Sequence, residues 1–235
     1  ASAGAAPLLY ITGTDTALKG DITQTADLLA SAVESGGYQG LFLDLAELGA
    51  PQKRDLTDLV RHLREALGSG LLYVMVESPV WQGSPYKGYD YAALAESADK
   101  LVVRVAAYDH ASGSFPIAPM EPLEEVYYAM AELREAVDSS RLSLLLTTTG
   151  SSWTGGTPAG SIPASEIEQL LSDPQPQAYY ADRYACAYLT ADDGLTAVWY
   201  LNGDAAMERI RMAAFFQVGQ ICLSDLSSVA AYDNY

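Results

Sequence analysis

Residues 38–49, YQGLFLDLAELG, hold a nearly continuous apolar run that opens at Gly40 and closes on two carboxylates, Asp44 and Glu47. A short apolar run bounded by glycines reads as a strand buried on both faces, the habit of parallel sheets covered by helices. Side chains alternate along a strand, so Phe42 and Ala46 share the face of Asp44, and Glu47 points the other way unless a bulge adds a residue.

The same unit recurs to either side. PLLYITGT (7–14) reads as a strand, and DITQTADLLASAVESGG (21–37) as a helix with Ile22, Ala26, Leu29 and Val33 on one face. A helix over 50–70 carries Leu56, Leu59, Val60, Leu63 and Leu67 on one stripe. LLYVMVES (71–78), KLVVRVAAYD (100–109), RLSLLLTTTG (141–150) and QICLSDL (220–226) read as further strands. Helices are expected at 90–99, 122–137 and 204–219 between them. YACAYLT, ADDG and LTAVWYLN read as an antiparallel hairpin inserted at about 177–203. The expectation is an α/β, TIM-barrel-like fold, incomplete, with about six core parallel strands, forming a single domain over 1–235. A doubly wound nucleotide-binding sheet would want a glycine-rich first turn, and TGTDTALKG (12–20) lacks that spacing.

Charge narrows the partners. Thirteen Lys and Arg stand against 30 Asp and Glu, a formal net charge of −17, and such an acidic protein repels phosphate backbones and anionic headgroups. Nucleic acid is therefore not an expected partner. No apolar run is long enough for a membrane span, and the opening ASAGAAP lacks the basic and apolar pattern of a signal peptide. The two cysteines, Cys186 and Cys222, are read either as buried thiols or as one disulfide. His62 and His110 are far apart without convergent ligands, so no metal site is expected, and no motif calls for a cofactor.

The segments GGYQGLFLDLAEL, DYAALAESADKLVVRVAAYDHASGSFPIAPMEPLEEVYYA, LLLTTTGSSW and YLTADDGLTAVWYLNGDAAMERIRMAAFFQVGQICLSDL resemble, in content and order, glycoside hydrolase family 18, in its bacterial spore-cortex and cell-wall branch. The resemblance runs from about residue 8 to residue 228 and implies a (β/α)8 barrel with a small inserted region, in which PLLYITGT matches the third strand and the first two are missing. It also implies a signature D-G-x-D-x-D-x-E, whose final Glu protonates the glycosidic oxygen while the preceding Asp orients the acetamido nucleophile of the substrate. Laid on this chain, the signature falls on Gln39, Gly40, Phe42, Asp44 and Ala46, and of its carboxylates only Asp44 remains. Catalytic candidates are thus Asp44 and, only through a bulge, Glu47.

Two further family features bear on sugar binding. The Tyr-Asp pair that contacts the N-acetyl sugar matches Tyr108 and Asp109, with Ala106 in place of a Met. The Trp that floors the sugar site is replaced near Ser224. Trp81 and Trp153, read as lying just beyond strand ends, are the remaining candidates to stack on a glycan or to anchor loops.

The expected function is that of a catalytically degenerate, hydrolase-like pseudoenzyme that binds an N-acetylglucosamine-containing glycan, peptidoglycan or chitin-like, at an extracellular or cell-envelope location. The rivals are an active glycosidase using Glu47 or another carboxylate such as Glu77, and a scaffold protein with no sugar site. A sheet lacking two barrel strands leaves two edges to be covered, which predicts a homo-oligomer unless the N-terminal segment or the hairpin covers them. Light scattering of the purified chain distinguishes these, and a strictly monomeric species removes self-association.

Overall fold

The computed structural model describes residues 4–46, 48–79, 88–105, 119, 121–173, 177–191 and 195–225. Six parallel strands, β1 (Leu8–Gly13), β2 (Gly40–Leu45), β3 (Leu71–Glu77), β4 (Lys100–Arg104), β5 (Leu142–Leu146) and β11 (Ile221–Leu223), form one sheet in the order β1-β2-β3-β4-β5-β11. Helices α1 (Ile22–Ser35), α2 (Lys53–Leu67), α3 (Tyr91–Ser97), α4 (Leu123–Ala136) and α6 (Gly203–Phe215) alternate with them. The fold is the incomplete TIM-barrel-like α/β architecture that the apolar runs and helical stripes predict.

The described residues fall into two compact units. One is drawn from Ala1–Ser78, Ser84–Arg104 and Leu133–Ser143, the other from Pro79–Gly83, Val105–Glu132 and Leu144–Tyr235. In the first unit α1 starts where the Asp21 carboxylate accepts the amide of Gln24 at 3.0 Å, an N-cap that satisfies a donor the helix leaves open. Leu56, Leu59, Val60 and Leu63 of α2 are buried, as their stripe requires, and so are Leu41, Leu43, Leu72, Val74, Leu101 and Val103 of the strands. Each fully buried Leu or Val contributes roughly 1.5–3 kcal/mol of hydrophobic stabilisation, which is what holds the sheet under its helices.

The second unit departs from the expected inserted hairpin. It holds a five-stranded antiparallel sheet, ordered β7-β6-β10-β9-β8, built from β6 (Gly150–Thr154), β7 (Thr157–Ile162), β8 (Gln177–Ala181), β9 (Cys186–Thr190) and β10 (Thr196–Tyr200). The expected β9–β10 pairing is present, with Thr190 opposite Ala197. The β6–β7 hairpin and helix α5 (Ala164–Ser172) were not anticipated. The hairpin turns on Gly155 and Gly156, whose φ values of 58° and 80° are those of the turn that matches strand twist, so the pair GG was the available signal. Trp153 is accordingly corrected from a loop position to a place inside β6, where it is 3% exposed and packs with Tyr184, Cys186 and Trp199. Neither cysteine is joined in a disulfide.

One close approach depends on a missing side chain. A Cβ on Gly40 would lie 2.0 Å from the carbonyl oxygen of Leu71, so only glycine lets β2 lie this close to β3. Gly40→Ala is expected to lower stability by about 3 kcal/mol or more, read as a fall in the thermal midpoint. Gly20→Ala, where a Cβ meets nothing within 4 Å, is the control and is expected to leave the midpoint nearly unchanged.

Candidate functional site

Parallel register places the chemistry of the first unit. Tyr10, Phe42 and Tyr73 lie opposite one another across β1, β2 and β3, and Glu77 lies opposite Arg104 across β3 and β4. Counting by twos from these pairs puts Tyr10, Phe42, Asp44, Ala46, Glu77 and Arg104 on one face of the sheet. The opposite face carries Leu41, Leu43, Val74 and Leu101, all buried. Tyr10 meets Phe42 edge to face at 5.2 Å, and Phe42 meets Tyr73 at 6.2 Å, forming an aromatic floor on the polar face.

Above that floor, three strand ends meet through one guanidinium. Arg104 Nη2 donates to Asp44 Oδ2 at 2.6 Å and Arg104 Nη1 donates to Glu77 Oε1 at 2.9 Å. The Tyr10 hydroxyl donates to the same Asp44 Oδ2 at 2.7 Å. Asp44 is 7% exposed, and its second oxygen, Oδ1, is buried with no hydrogen-bond partner among the described residues. Tyr91 donates its hydroxyl to the Glu77 carbonyl at 2.7 Å, and Tyr89 donates to the Leu45 carbonyl at 3.3 Å, so two further phenols close over the same strand ends.

The electrostatics follow from this geometry. Burial alone would lower the Arg104 pKa, but its bonds to Asp44 and Glu77 outweigh that and raise it, so the guanidinium is firmly charged. Burial pushes the Glu77 carboxyl above its usual range, and the Arg104 bond pulls back against it without cancelling it. Burial of its hydroxyl end, then the bond to Asp44, pushes Tyr10 up to about 12 although much of its ring is exposed. The Tyr89 phenol is raised by burial as well.

The structure brings together Asp44 and the alternative acid Glu77. Glu47, Trp81, Tyr108 and Asp109 lie outside the described residues. The β1–β2 ladder keeps its register to Leu45 and continues with the Ala46 amide donating to the Gly13 carbonyl at 2.9 Å, so the strand carries no bulge as far as Ala46. Arg104 and Tyr10 were missed in the sequence. A lone arginine inside the apolar run KLVVRVAAYD was the signal for the first, while Tyr10 looks like any strand aromatic. In the second unit, the Thr148 amide donates to Ser224 Oγ at 2.9 Å, so the serine near the expected Trp position is taken up by a neighbouring strand end. No group of three or more metal-ligating side chains occurs among the described residues, and no helix among them is long and apolar enough to cross a membrane.

Comparison with known proteins places these features in a family. The model of the Glycosyl hydrolases family 18 matches residues 17–218. A Bacillus subtilis protein named as a sporulation-specific glycosylase, YdhD, is 25% identical over 189 residues, which are 76% of this chain and 44% of that protein. The chain therefore spans less than half the length of this curated relative. The crystal structure of YdhD superposes with a TM-score of 0.80 at 20% identity, covering 93% of this chain and 79% of that one. The spore cortex-lytic enzyme SleL of Bacillus megaterium gives 0.74 at 16% identity, covering 93% and 56%. A chitinase from Chromobacterium violaceum gives 0.77 at 18% identity, covering 92% and 70%.

Glu77 offers a pH test of the cluster. Its folded-state pKa lies above the unfolded value, so its contribution to stability is fully present below the unfolded pKa, near 4.5, and is lost as pH rises through the folded pKa. Glu77→Gln keeps an acceptor for Arg104 and removes the titration. The stability difference, wild type minus Glu77→Gln, is expected to grow as pH falls from 7 to below 4.5, measured by urea unfolding across that range. A difference independent of pH would show that Glu77 is not held above its usual range.

Proposed function

Because the chain belongs to glycosyl hydrolase family 18, we propose that the polar strand-end face of its first unit binds an N-acetylglucosamine-containing glycan without hydrolysing it. The relatives named for chitin and spore cortex suggest a chitin-like or peptidoglycan ligand, and a ligand of that kind is met outside the cell or in its envelope. The observation that carries the reading is Arg104 bridging Asp44 and Glu77. A general acid needs a proton-bearing oxygen within hydrogen-bond reach of the leaving group. Here Ala46 stands where the family resemblance puts that acid, and the Glu77 oxygen Oε1 is engaged by the guanidinium. Loss of such an acid lowers rate by about a hundred- to ten-thousand-fold, while binding survives on the remaining contacts.

Those contacts would come from Asp44 Oδ1, which still lacks a donor, and from the aromatic floor of Tyr10 and Phe42. Tyr108 and Asp109 are sugar-contact candidates through the family resemblance alone, and Glu47 and Trp81 remain secondary candidates, whereas burial of Trp153 in the core of the second unit leaves its ring no face for a sugar. A second reading, an active glycosidase with Glu77 as acid, draws on one observation: burial raises the Glu77 carboxyl toward the proton-holding range.

Calorimetry with N-acetylglucosamine oligomers and with peptidoglycan fragments, run beside an assay for reducing ends, separates the readings. Saturable heat without product, weakened about tenfold or more by Asp44→Asn, is the expected result. Product that vanishes in Glu77→Gln replaces it with the glycosidase. No heat from either ligand class leaves an interaction module with no sugar site.

A further inference from the structure

The antiparallel sheet of the second unit has two differently filled faces. Ala187, Leu189, Val198 and Tyr200 pack with Ala164 and Ile167 of α5 on one. The other carries Trp153, Cys186 and Trp199, and alternation adds Ser151, which lies directly opposite Trp199 across β6 and β10. A cavity of about 20 Å3 is lined by residues that include Ser151, Thr149, Trp199, Glu121 and Arg209.

This cavity concentrates unsatisfied polarity. Ser151 Oγ, Trp199 Nε1 and Arg209 Nε are all buried without a hydrogen-bond partner among the described residues. Trp199 is 6% exposed and Arg209 only 1%. The other guanidinium nitrogens of Arg209 are spent on neutral carbonyls: Nη1 donates to Ala185 O at 2.7 Å and Ala205 O at 2.9 Å, and Nη2 donates to Glu121 O. Among the described residues Arg209 makes no ion pair. An indole and a guanidinium N–H can only donate, so what completes this site is an acceptor. Leaving such donors buried and unmet costs about 1–3 kcal/mol each.

Size and charge define the acceptor. The room suffices for one oxygen-bearing group, since about 10–15 Å3 admits a single water-sized probe. The Glu121 carboxylate, whose Oε1 accepts the Thr147 amide at 3.0 Å, lines the same space as Arg209, so their charges offset and an anion gains little there. We propose that this cavity receives the carbonyl oxygen of a neutral amide, with Arg209 Nε, Trp199 Nε1 and Ser151 Oγ as its donors. The site lies wholly in the second unit and does not depend on the glycan reading.

The test uses the full chain, 15N-labelled, with the Trp199 indole proton followed during titration with acetamide. Trp199→Phe assigns the resonance, and Ser151→Ala identifies it independently if that variant does not fold. A saturable shift with acetamide, weakened about fivefold in Ser151→Ala, is expected. Acetate serves as the anionic arm and is expected to bind more weakly than acetamide, because Glu121 opposes it. An indole proton that neither amide nor acetate moves, yet exchanges slowly, identifies a sealed water and overturns the amide site. Tighter binding of acetate overturns the charge assignment.

Discussion

The polar face of the first unit is organised by one cation. Arg104 holds Asp44 from β2 and Glu77 from β3 with separate guanidinium nitrogens, and its own position at the end of β4 is fixed by strand register. Two carboxylates on one face repel each other in a partly desolvated setting, and the cation between them offsets that repulsion. The planar guanidinium suits this role because it presents donors in a fixed fork and stays charged. A lysine would offer one point charge for two partners. The strand-end geometry and the pull of Arg104 against the burial of Glu77 therefore have the same cause.

Much of this was legible as pattern. Buried parallel strands announce themselves by apolar runs without alternation, and α2 by its stripe of leucines, because both depend only on local spacing and burial. Alternation also places Phe42, Asp44 and Ala46 together, since a period of two leaves no freedom once one face is known. The contact between Arg104 and Asp44 spans 60 positions in the chain and was not legible, because register between strands is set by loops and glycine contacts such as Gly40 against Leu71. A lone arginine in a strand says that a partner exists, and the sequence does not say where.

The second unit is less legible in its sequence, for a different physical reason. GSSWT and TPAGSI carry few β-branched residues, so β6 and β7 owe their conformation to ladder pairing and to a two-glycine turn more than to propensity. Tertiary context also decides Trp153: a large aromatic in a serine- and glycine-rich stretch suggests an exposed loop, yet the ring is buried in the core with Tyr184, Cys186 and Trp199. Ser151 of β6 and Thr149 just before it help, with Trp199, to line the cavity.

Fold and chemistry draw on different side chains. What preserves the fold is distributed: leucines and valines facing the helices, and Gly40 where two backbones nearly touch. What would make a hydrolase is concentrated in a few carboxylates on the other face, and replacing an acid by alanine there removes no buried apolar contact and breaks no ladder hydrogen bond. The folding free energy is therefore nearly blind to the change, while transition-state stabilisation is not. Arg104 blurs that separation, because it ties Asp44 and Glu77 into an ion-pair network, so that these carboxylates contribute to the order of the sheet face as well.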